Sequence, residues 1–274
     1  MKNIRFSQKQ KLTSYRKIAI SSWKHPRDPS TYAMVDLPTS AAKEFISQYD
    51  SKVPLTMTHL VAKTLGHCLE KFPALNHVLR VGNLHKRETI DVFITTLIKG
   101  VEGKDLSGFS IRDVNNKSLE EIALISKEKV DDLRYNRDKE NIQVQKCVNP
   151  LSVYLIKPLL RIREFFHYTL NMSFGMKDAF GSVMISNIGA LGIESAYIPL
   201  SPYSRCPLIV GIGKPRKIPV VQGDEIVIEE SAIITFTFDH RYADGAHCAT
   251  MIRRFKKIIS NPAAYKHLFL EDDK

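Results

Sequence analysis

The sequence of 274 residues contains little cysteine, and its cysteines show no pattern that indicates disulfide bonds. The four of them, Cys68, Cys147, Cys206 and Cys248, have no paired spacing, and the sequence contains no secretory apolar segment. Paired cysteines together with such a segment are typical of disulfide-stabilised extracellular proteins. We therefore expect reduced thiols and a cytoplasmic location.

Long apolar runs, metal-ligand clusters and nucleic-acid motifs are also missing. No uncharged apolar stretch is long enough to span a bilayer, so neither an integral membrane protein nor a membrane contact is expected. His247 follows His240 by seven residues, a spacing that matches no recognised metal-ligand motif, and no cysteine or histidine cluster lies nearby. We expect no metal cofactor and no nucleic-acid partner.

Length and composition bound the architecture. With 43% hydrophobic residues the chain can bury a sizeable core. No internal repeat is visible. One large α/β domain and two small ones both fit this length, and we predict one domain over residues 1–274 with an atypical helical insertion at about residues 135–177.

The most informative segment that is present is FDHRYADG at residues 238–245. It places a histidine at the end of a strand pattern, an aspartate four residues later and a glycine at the start of a helix pattern. A histidine held in place is the commonest base for moving a proton near pH 7. Asp244 falls where the helix begins, so its carboxylate can cap free N–H groups or pair with a charged partner. The segment predicts a proton-transfer site with His240 as the base.

The flanking patterns support this placement. Residues 232–238 alternate in a β-branched and aromatic run, which predicts a strand, and apolar residues recur at helical spacing over residues 244–261. Farther upstream, residues 90–98 read as another strand. Ser118 and Glu121 form the capping box of another helix. The histidine segment is therefore a corner between a strand and a helix.

The sequence resembles the catalytic domain of the acyltransferase component of 2-oxo-acid dehydrogenase complexes. Chloramphenicol acetyltransferase shares that family's fold and histidine motif. The pattern H-x-x-x-D-G within residues 238–245 carries the resemblance, and GSVMISNIG at residues 181–189 matches a second family motif. Weaker matches follow in the family's order, at residues 16–19, 72–76, 118–123 and 208–213. The resemblance implies an α/β coenzyme-A-dependent acyltransferase fold, a mixed sheet with flanking helices.

The resemblance also implies the chemistry. Family members move an acyl group between coenzyme A and a thiol such as that of dihydrolipoamide. His240 matches the base that takes the thiol proton, and Ser186 aligns with the serine that stabilises the oxyanion. The spacing between these two, 54 residues, is close to that of the family. Asp244 matches a structural aspartate that is often paired with an arginine, and Arg16 is a candidate partner.

The implied assembly is a homotrimer or a multiple of trimers. Its active sites lie between subunits, where the histidine of one chain faces the serine of its neighbour. Acyl-CoA is a substrate, and the net charge of +11 would attract its phosphates. Eight Lys and Arg residues precede the first acid, Asp28, for which a nucleic-acid arm and an organellar transit segment are alternative explanations.

Two features depart from the family. No Pro/Ala-rich linker and no lipoyl hairpin are present, so we expect a stand-alone version, with lipoamide supplied by another chain if it is used. Residues 150–166 predict a helix that is bent near Pro158 and apolar nearly all round. A subunit contact is the first interpretation of this helix. A lid for an acyl chain and an interfacial membrane helix are the others.

Other functions stay open at this point. A stand-alone O- or N-acyltransferase acting on a small molecule fits the same residues. A catalytically silent trimeric scaffold would have no need of His240, Asp244 and Ser186 together. A condensation-type enzyme usually has a doubled histidine, whereas Asp239 precedes His240 here. Ser186 itself could be a turn residue, because Ser-Asn followed by Gly is ordinary turn chemistry.

Overall fold

The structure is a computed structural model that describes residues 28–80, 83–100, 103–135, 137, 153–166, 180–201 and 204–270. The strands in these ranges are β1 (Ser30–Pro38), β2 (His77–Arg80), β3 (Asn83–Lys86), β4 (Val92–Gly100), β5 (Gly103–Ile111), β6 (Val183–Asn187), β7 (Leu208–Ile212), β8 (Arg216–Gln222) and β9 (Glu225–Asp239). The α-helices are α1 (Ser40–Gln48), α2 (Met57–Lys71), α3 (Leu119–Arg134), α4 (Val153–Glu164) and α5 (Gly245–Ser260).

Seven of the described strands form one mixed sheet. Its order is β1-β9-β7-β6-β4-β5, and β8 pairs with the first half of β9. Strand β6 is parallel to both of its neighbours, β4 and β7, whereas β9 and β5 run antiparallel to the strands beside them. Strands β2 and β3 form a separate hairpin. The mixed sheet with flanking helices is the fold that the sequence predicted.

Strand β9 delivers the histidine segment from the middle of the core. Ile234, Phe236 and Phe238 are at most 2% exposed and lie in the cluster that joins the sheet to the helices. The ring of Phe236 meets that of Phe255 on α5 edge-on, with 5.4 Å between centroids. Such aromatic contacts add to the stabilisation from apolar burial. The predicted strand and helix on either side of His240 are confirmed.

The predicted elements farther upstream are also present. Helix α3 begins with the predicted capping box: Ser118 Oγ accepts from the N–H of Glu121 at 3.1 Å, and Glu121 Oε2 accepts from the N–H of Ser118 at 2.7 Å. Strand β4 covers most of the strand predicted at residues 90–98. The described cysteines Cys68, Cys206 and Cys248 are buried, and Cys147 lies outside the described residues.

Helix α4 lies within the segment that was predicted to be a bent apolar helix. It contains Pro158 as expected, and residues 149–152 lie outside the described part of the chain. Tyr154, Leu155 and Leu159 are 91%, 55% and 49% exposed. These side chains therefore have open apolar surface in the single chain. The three interpretations of the helix stay predictions, as do the insertion boundaries and the single domain over residues 1–274.

Helix α2 starts with a capping box in which a histidine replaces the usual acid or amide. Thr56 Oγ1 accepts from the N–H of His59 at 3.4 Å, and His59 Nδ1 accepts from the N–H of Thr56 at 3.2 Å. The second bond requires an unprotonated Nδ1. Burial lowers the pKa of His59 from 6.5 to about 4.

This histidine makes the fold sensitive to acid. Between pH 6.5 and about 4 an unfolded His59 is protonated while the folded one is not, so the free energy of unfolding falls as the pH falls. The contribution is at most about 1.4 kcal/mol per pH unit. His59→Gln can keep the capping box without titrating. In urea unfolding it should give a shallower dependence on pH than the parent.

Exposed His85 offers the matched control, because His85→Gln removes an imidazole that has no role in a helix cap. Equal pH slopes for the parent and His59→Gln would contradict this assignment.

Candidate active site

His240 stands where β9 ends and the chain turns toward α5. The N–H of His240 donates to Pro29 O at 2.8 Å, that of Asp239 donates to Pro207 O at 2.9 Å, and that of Tyr242 donates to Asp239 O at 3.0 Å. These bonds fix the backbone on both sides of the imidazole. In the single chain His240 is exposed, and its ring forms no hydrogen bond with any residue that the structure describes. The turn after β9 therefore carries a histidine whose backbone is fixed by hydrogen bonds and whose side chain is exposed.

The residue before the histidine is a buried, paired carboxylate. Asp239 is 4% exposed and receives bonds from Arg241, Nη2 to Oδ2 at 2.6 Å and Nε to Oδ1 at 2.9 Å. Bidentate pairs of this kind are among the stronger hydrogen bonds in proteins. The bond to Asp239 raises the pKa of Arg241. The carboxylate of Asp239 is thus committed to Arg241 and stiffens the turn that carries His240.

Asp244 is the N-cap of α5. Its Oδ1 accepts from the N–H groups of Ala246 and His247, each at 3.0 Å, and lies 2.7 Å from His247 Nδ1. The backbone and ring bonds from His247 lower the pKa of Asp244. The capping role expected from the sequence is confirmed, and the described side-chain partner is His247. Arg16, the arginine expected to pair with Asp244, lies outside the described residues.

Tyr242 and Arg205 connect the turn that carries His240 to the β2–β3 hairpin. The buried hydroxyl of Tyr242 accepts from the N–H of Leu79 at 2.9 Å, and Arg205 Nη1 donates to the carbonyl of the same residue at 2.9 Å. Burial raises the pKa of Tyr242. Neither residue was predicted from the sequence to belong to the site. Tyr242 lies inside the histidine motif, but Arg205 and Leu79 are distant in the chain and had no recognisable signal.

Ser186 lies in β6, on the opposite face of the sheet from the main core. Val183 and Ile185 belong to the core cluster shared with the helices, whereas Met184 belongs to a second, smaller cluster that contains no described helix. Alternation along the strand puts Ser186 on the side of Met184. Ser186 is half-buried, and its Oγ is 3.0 Å from Oγ1 of Thr95 on β4. The idea that Ser186 is a turn residue is wrong, because it is part of the strand.

The strand position beside Ser186 has no room for a side chain. Ser186 pairs with Gly211 of β7, which pairs with Thr235 of β9. A Cβ atom at Gly211 would lie 2.5 Å from Thr235 Oγ1 and 3.3 Å from the carbonyl of Ala196. Glycine fits here because the Thr235 hydroxyl, which bonds to the carbonyl of Ala196, occupies the space that a side chain would need.

Asn187 links the end of β6 to helix α2. Its Nδ2 donates to Thr58 Oγ1 near the start of α2, and its Oδ1 accepts from the N–H of Ala190, both at 3.2 Å. The second bond caps the 3₁₀ turn Ile188–Leu191. The position of Ser186 is thus set by strands on both sides and by its anchored neighbour.

One chain does not bring His240 and Ser186 together. Ser186 is in register with Thr235, two strands away and five residues before His240. With a rise of about 3.3 Å per residue and about 4.8 Å between strands, the two Cα atoms are roughly 19 Å apart. A base and an oxyanion donor must each lie about 3 Å from the atoms they serve. Each chain therefore carries two separate candidate half-sites.

The comparison with known proteins bears on this same part of the chain. Residues 165–266 match the family model of the 2-oxoacid dehydrogenase acyltransferase catalytic domain. Both half-sites lie inside that match. The dihydrolipoyllysine-residue acetyltransferase component of the mitochondrial pyruvate dehydrogenase complex of Neurospora crassa is 27% identical over 229 residues, which cover 79% of this chain and 40% of the relative. The chain spans less than half the length of the curated relatives that it matches first.

Solved structures of this acyltransferase family share the fold. The cubic core of the pyruvate dehydrogenase multienzyme complex superposes with a TM-score of 0.66 at 18% identity, covering 97% of this chain and 95% of that one. The dihydrolipoamide acetyltransferase of Azotobacter vinelandii superposes with a TM-score of 0.65 at 17% identity and the same coverage. The resemblance inferred from the two motifs is confirmed, and so is the predicted fold.

Metal-ligand clusters and membrane-spanning helices are both absent from the described ranges. No group of three or more His, Cys, Asp or Glu side chains in them is arranged to hold a metal ion. None of the helices in the same ranges is long and apolar enough to cross a membrane.

Proposed function

We propose that the protein is an acyltransferase that moves an acyl group between coenzyme A and a thiol such as dihydrolipoamide. One observation carries the proposal. The region that matches the acyltransferase family presents a backbone-fixed histidine directly after β9 and a half-buried serine on β6. These are the base and the oxyanion donor that acyl transfer needs, and we assign them to His240 and Ser186.

The reaction follows from these two groups. His240 takes the proton of the acceptor thiol, and the resulting thiolate attacks the carbonyl carbon of the acyl-CoA thioester. The tetrahedral intermediate places its negative charge on the former carbonyl oxygen, to which Ser186 donates a hydrogen bond. The intermediate then expels the thiolate of coenzyme A, which recovers the proton from the imidazolium. The acyl group ends on the acceptor, and His240 is again neutral.

The Azotobacter vinelandii enzyme supports the residue assignments. Its catalytic mechanism has been investigated through a serine, a histidine and an asparagine, and the asparagine follows the histidine by four residues. Asp244 follows His240 by the same interval, and Ser186 precedes His240 by 54 residues, only slightly more than the serine in that enzyme. We therefore propose that Asp244 takes the place of the asparagine and holds the turn by capping α5.

The distance between the half-sites favours an oligomer. In a closed ring each interface joins one surface of a chain to a different surface of the next, so His240 of one copy can face Ser186 of its neighbour. Tyr32 and Met34 lie on the Ser186 face and are 47% and 60% exposed, which favours burial against another copy. We propose a homotrimer or a multiple of trimers with sites between subunits.

Co-assembly of two inactive variants tests this arrangement. His240→Ala and Ser186→Ala chains should each retain at most about 1% of the parent rate alone, because every site lacks one group. In trimers formed by coexpressing both, each site takes its histidine from one chain and its serine from the neighbouring chain. The site is intact when the first chain is the Ser186→Ala variant and the neighbour is the His240→Ala variant. Random assembly gives about a quarter of sites with both groups. Acetyl transfer from acetyl-CoA to dihydrolipoamide should recover to about that fraction of the parent rate.

Mixing the two purified variants without subunit exchange is the control and should restore nothing. If coexpressed variants stay inactive in particles shown by mass to contain both chains, the two groups do not act between subunits. A monomer with full activity would contradict the proposal equally.

The acceptor and the compartment can be tested separately. A panel of acyl-CoAs with and without dihydrolipoamide reports on the acceptor, and release of free coenzyme A only in the presence of dihydrolipoamide would support a thiol acceptor such as a lipoyl group. We propose a cytoplasmic location, whereas the Neurospora crassa relative is mitochondrial. Cell fractionation distinguishes the two.

A further inference from the structure

The hydroxyl of Thr95 lies next to the hydroxyl of the proposed oxyanion serine. Thr95 Oγ1 is 3.0 Å from Ser186 Oγ, a normal distance for a bond between two hydroxyls. The preceding pair in the register, Ile94 with Ile185, holds the two strands in parallel alignment. Within the part of the chain that the structure describes, Thr95 is the side chain that hydrogen-bonds to Ser186. The contact joins adjacent central strands, so it is fixed by their backbone pairing.

The number of protons on the two hydroxyls determines which of them must donate in this contact. A hydroxyl has one proton to donate and two lone pairs that accept. If Ser186 gave its proton to Thr95, it would have none for the oxyanion. If Thr95 donates, the Ser186 proton is free to point away from β4, and the Ser186 O–H becomes a stronger donor because its oxygen already accepts a bond.

We infer that Thr95 is a positioning residue for the reaction: it donates to Ser186 and thereby directs the Ser186 proton toward the oxyanion. The inference rests on the proposed function, since it concerns the same serine. Thr95 does not touch the reacting atoms, and it acts through the orientation of Ser186 alone.

A purely structural role for the same contact makes different predictions. Cross-strand hydroxyl pairs stabilise sheets, so losing one would lower the unfolding temperature whatever the serine does. A positioning role must also lower the catalytic constant at unchanged KM for acetyl-CoA, and it must disappear when Ser186 is absent.

The test compares Thr95→Val, Thr95→Ser and Thr96→Val with the parent in acetyl transfer to dihydrolipoamide. Thr95→Val keeps the shape and removes the hydroxyl, and it should lower kcat roughly five- to tenfold, the effect of one ordinary hydrogen bond. Thr95→Ser keeps the hydroxyl and should stay within about twofold of the parent. Thr96 is the next residue along β4 and alternates to the other face, so Thr96→Val controls for the loss of a strand hydroxyl.

The same Thr95→Val change is then made in the Ser186→Ala background, where it should have no further effect on kcat. An undiminished effect there, an unchanged kcat for Thr95→Val alone, or an equal loss in Thr96→Val would each overturn the inference while leaving the proposed function standing. If Ser186→Ala itself keeps the parent rate, the oxyanion assignment fails and this inference fails with it.

Discussion

Replacement of His240 by alanine should lower acetyl transfer to dihydrolipoamide by a factor on the order of 10³, because general bases contribute about 10² to 10⁴ to catalysis. In the proposed mechanism the acceptor thiol must then ionise without a base before it attacks. The ring is exposed and forms no hydrogen bond with a described residue, so its removal leaves the core packing of β9 unchanged. The melting temperature should therefore match that of the parent.

His240→Gln separates proton transfer from hydrogen bonding. Glutamine can still donate and accept hydrogen bonds but cannot take up a proton near neutral pH, so it should be as inactive as alanine. Added imidazole should restore part of the activity of His240→Ala by supplying the missing base. Exposed His267 provides the control, and His267→Ala should keep the parent rate. Near-normal turnover in either His240 variant would remove the base from the mechanism.

The elements around the histidine could be predicted because their signals are local. Alternation over residues 232–238 specifies a strand, and the aspartate at the start of an apolar 3.6-residue period specifies a capped helix. Both occur as expected, including the hydrogen bonds that Asp244 accepts from N–H groups at the start of α5. The strand, the helix and its cap could therefore be predicted from residues close to His240 in the sequence, whereas the bonds to Pro29 and Pro207 that fix the turn could not.

The rest of the site depends on contacts between distant segments. Thr95 and Ser186 are joined by strand pairing across 91 residues, and Tyr242 meets Leu79 across 163 residues. No single-sequence pattern reports such pairs, because periodicity gives the face of a strand but not its neighbour. The wide separation of His240 from Ser186 was equally invisible, since it follows from the antiparallel course of β9 relative to β7.

Replacement of Ser186 by alanine should lower kcat by about 10² to 10³ with little change in KM, the effect expected for loss of one oxyanion donor. In the proposed mechanism the hydroxyl stabilises the intermediate, whose charge appears only after attack, and contributes little to binding of the thioester ground state. The bond from Thr95 is lost as well, so a small decrease in melting temperature is expected. A scan of kcat and KM over several acyl-CoAs checks the prediction.

Thr235→Val is the matched control for this serine. Thr235 lies in the same cross-strand row and on the same face, and its hydroxyl bonds to the carbonyl of Ala196 at 2.8 Å. Its loss should lower stability by about 1 kcal/mol and leave kcat within a few-fold of the parent. If Ser186→Ala and Thr235→Val lose the same small amount of activity, Ser186 serves the sheet only. A large loss of kcat confined to Ser186→Ala assigns its hydroxyl to the oxyanion.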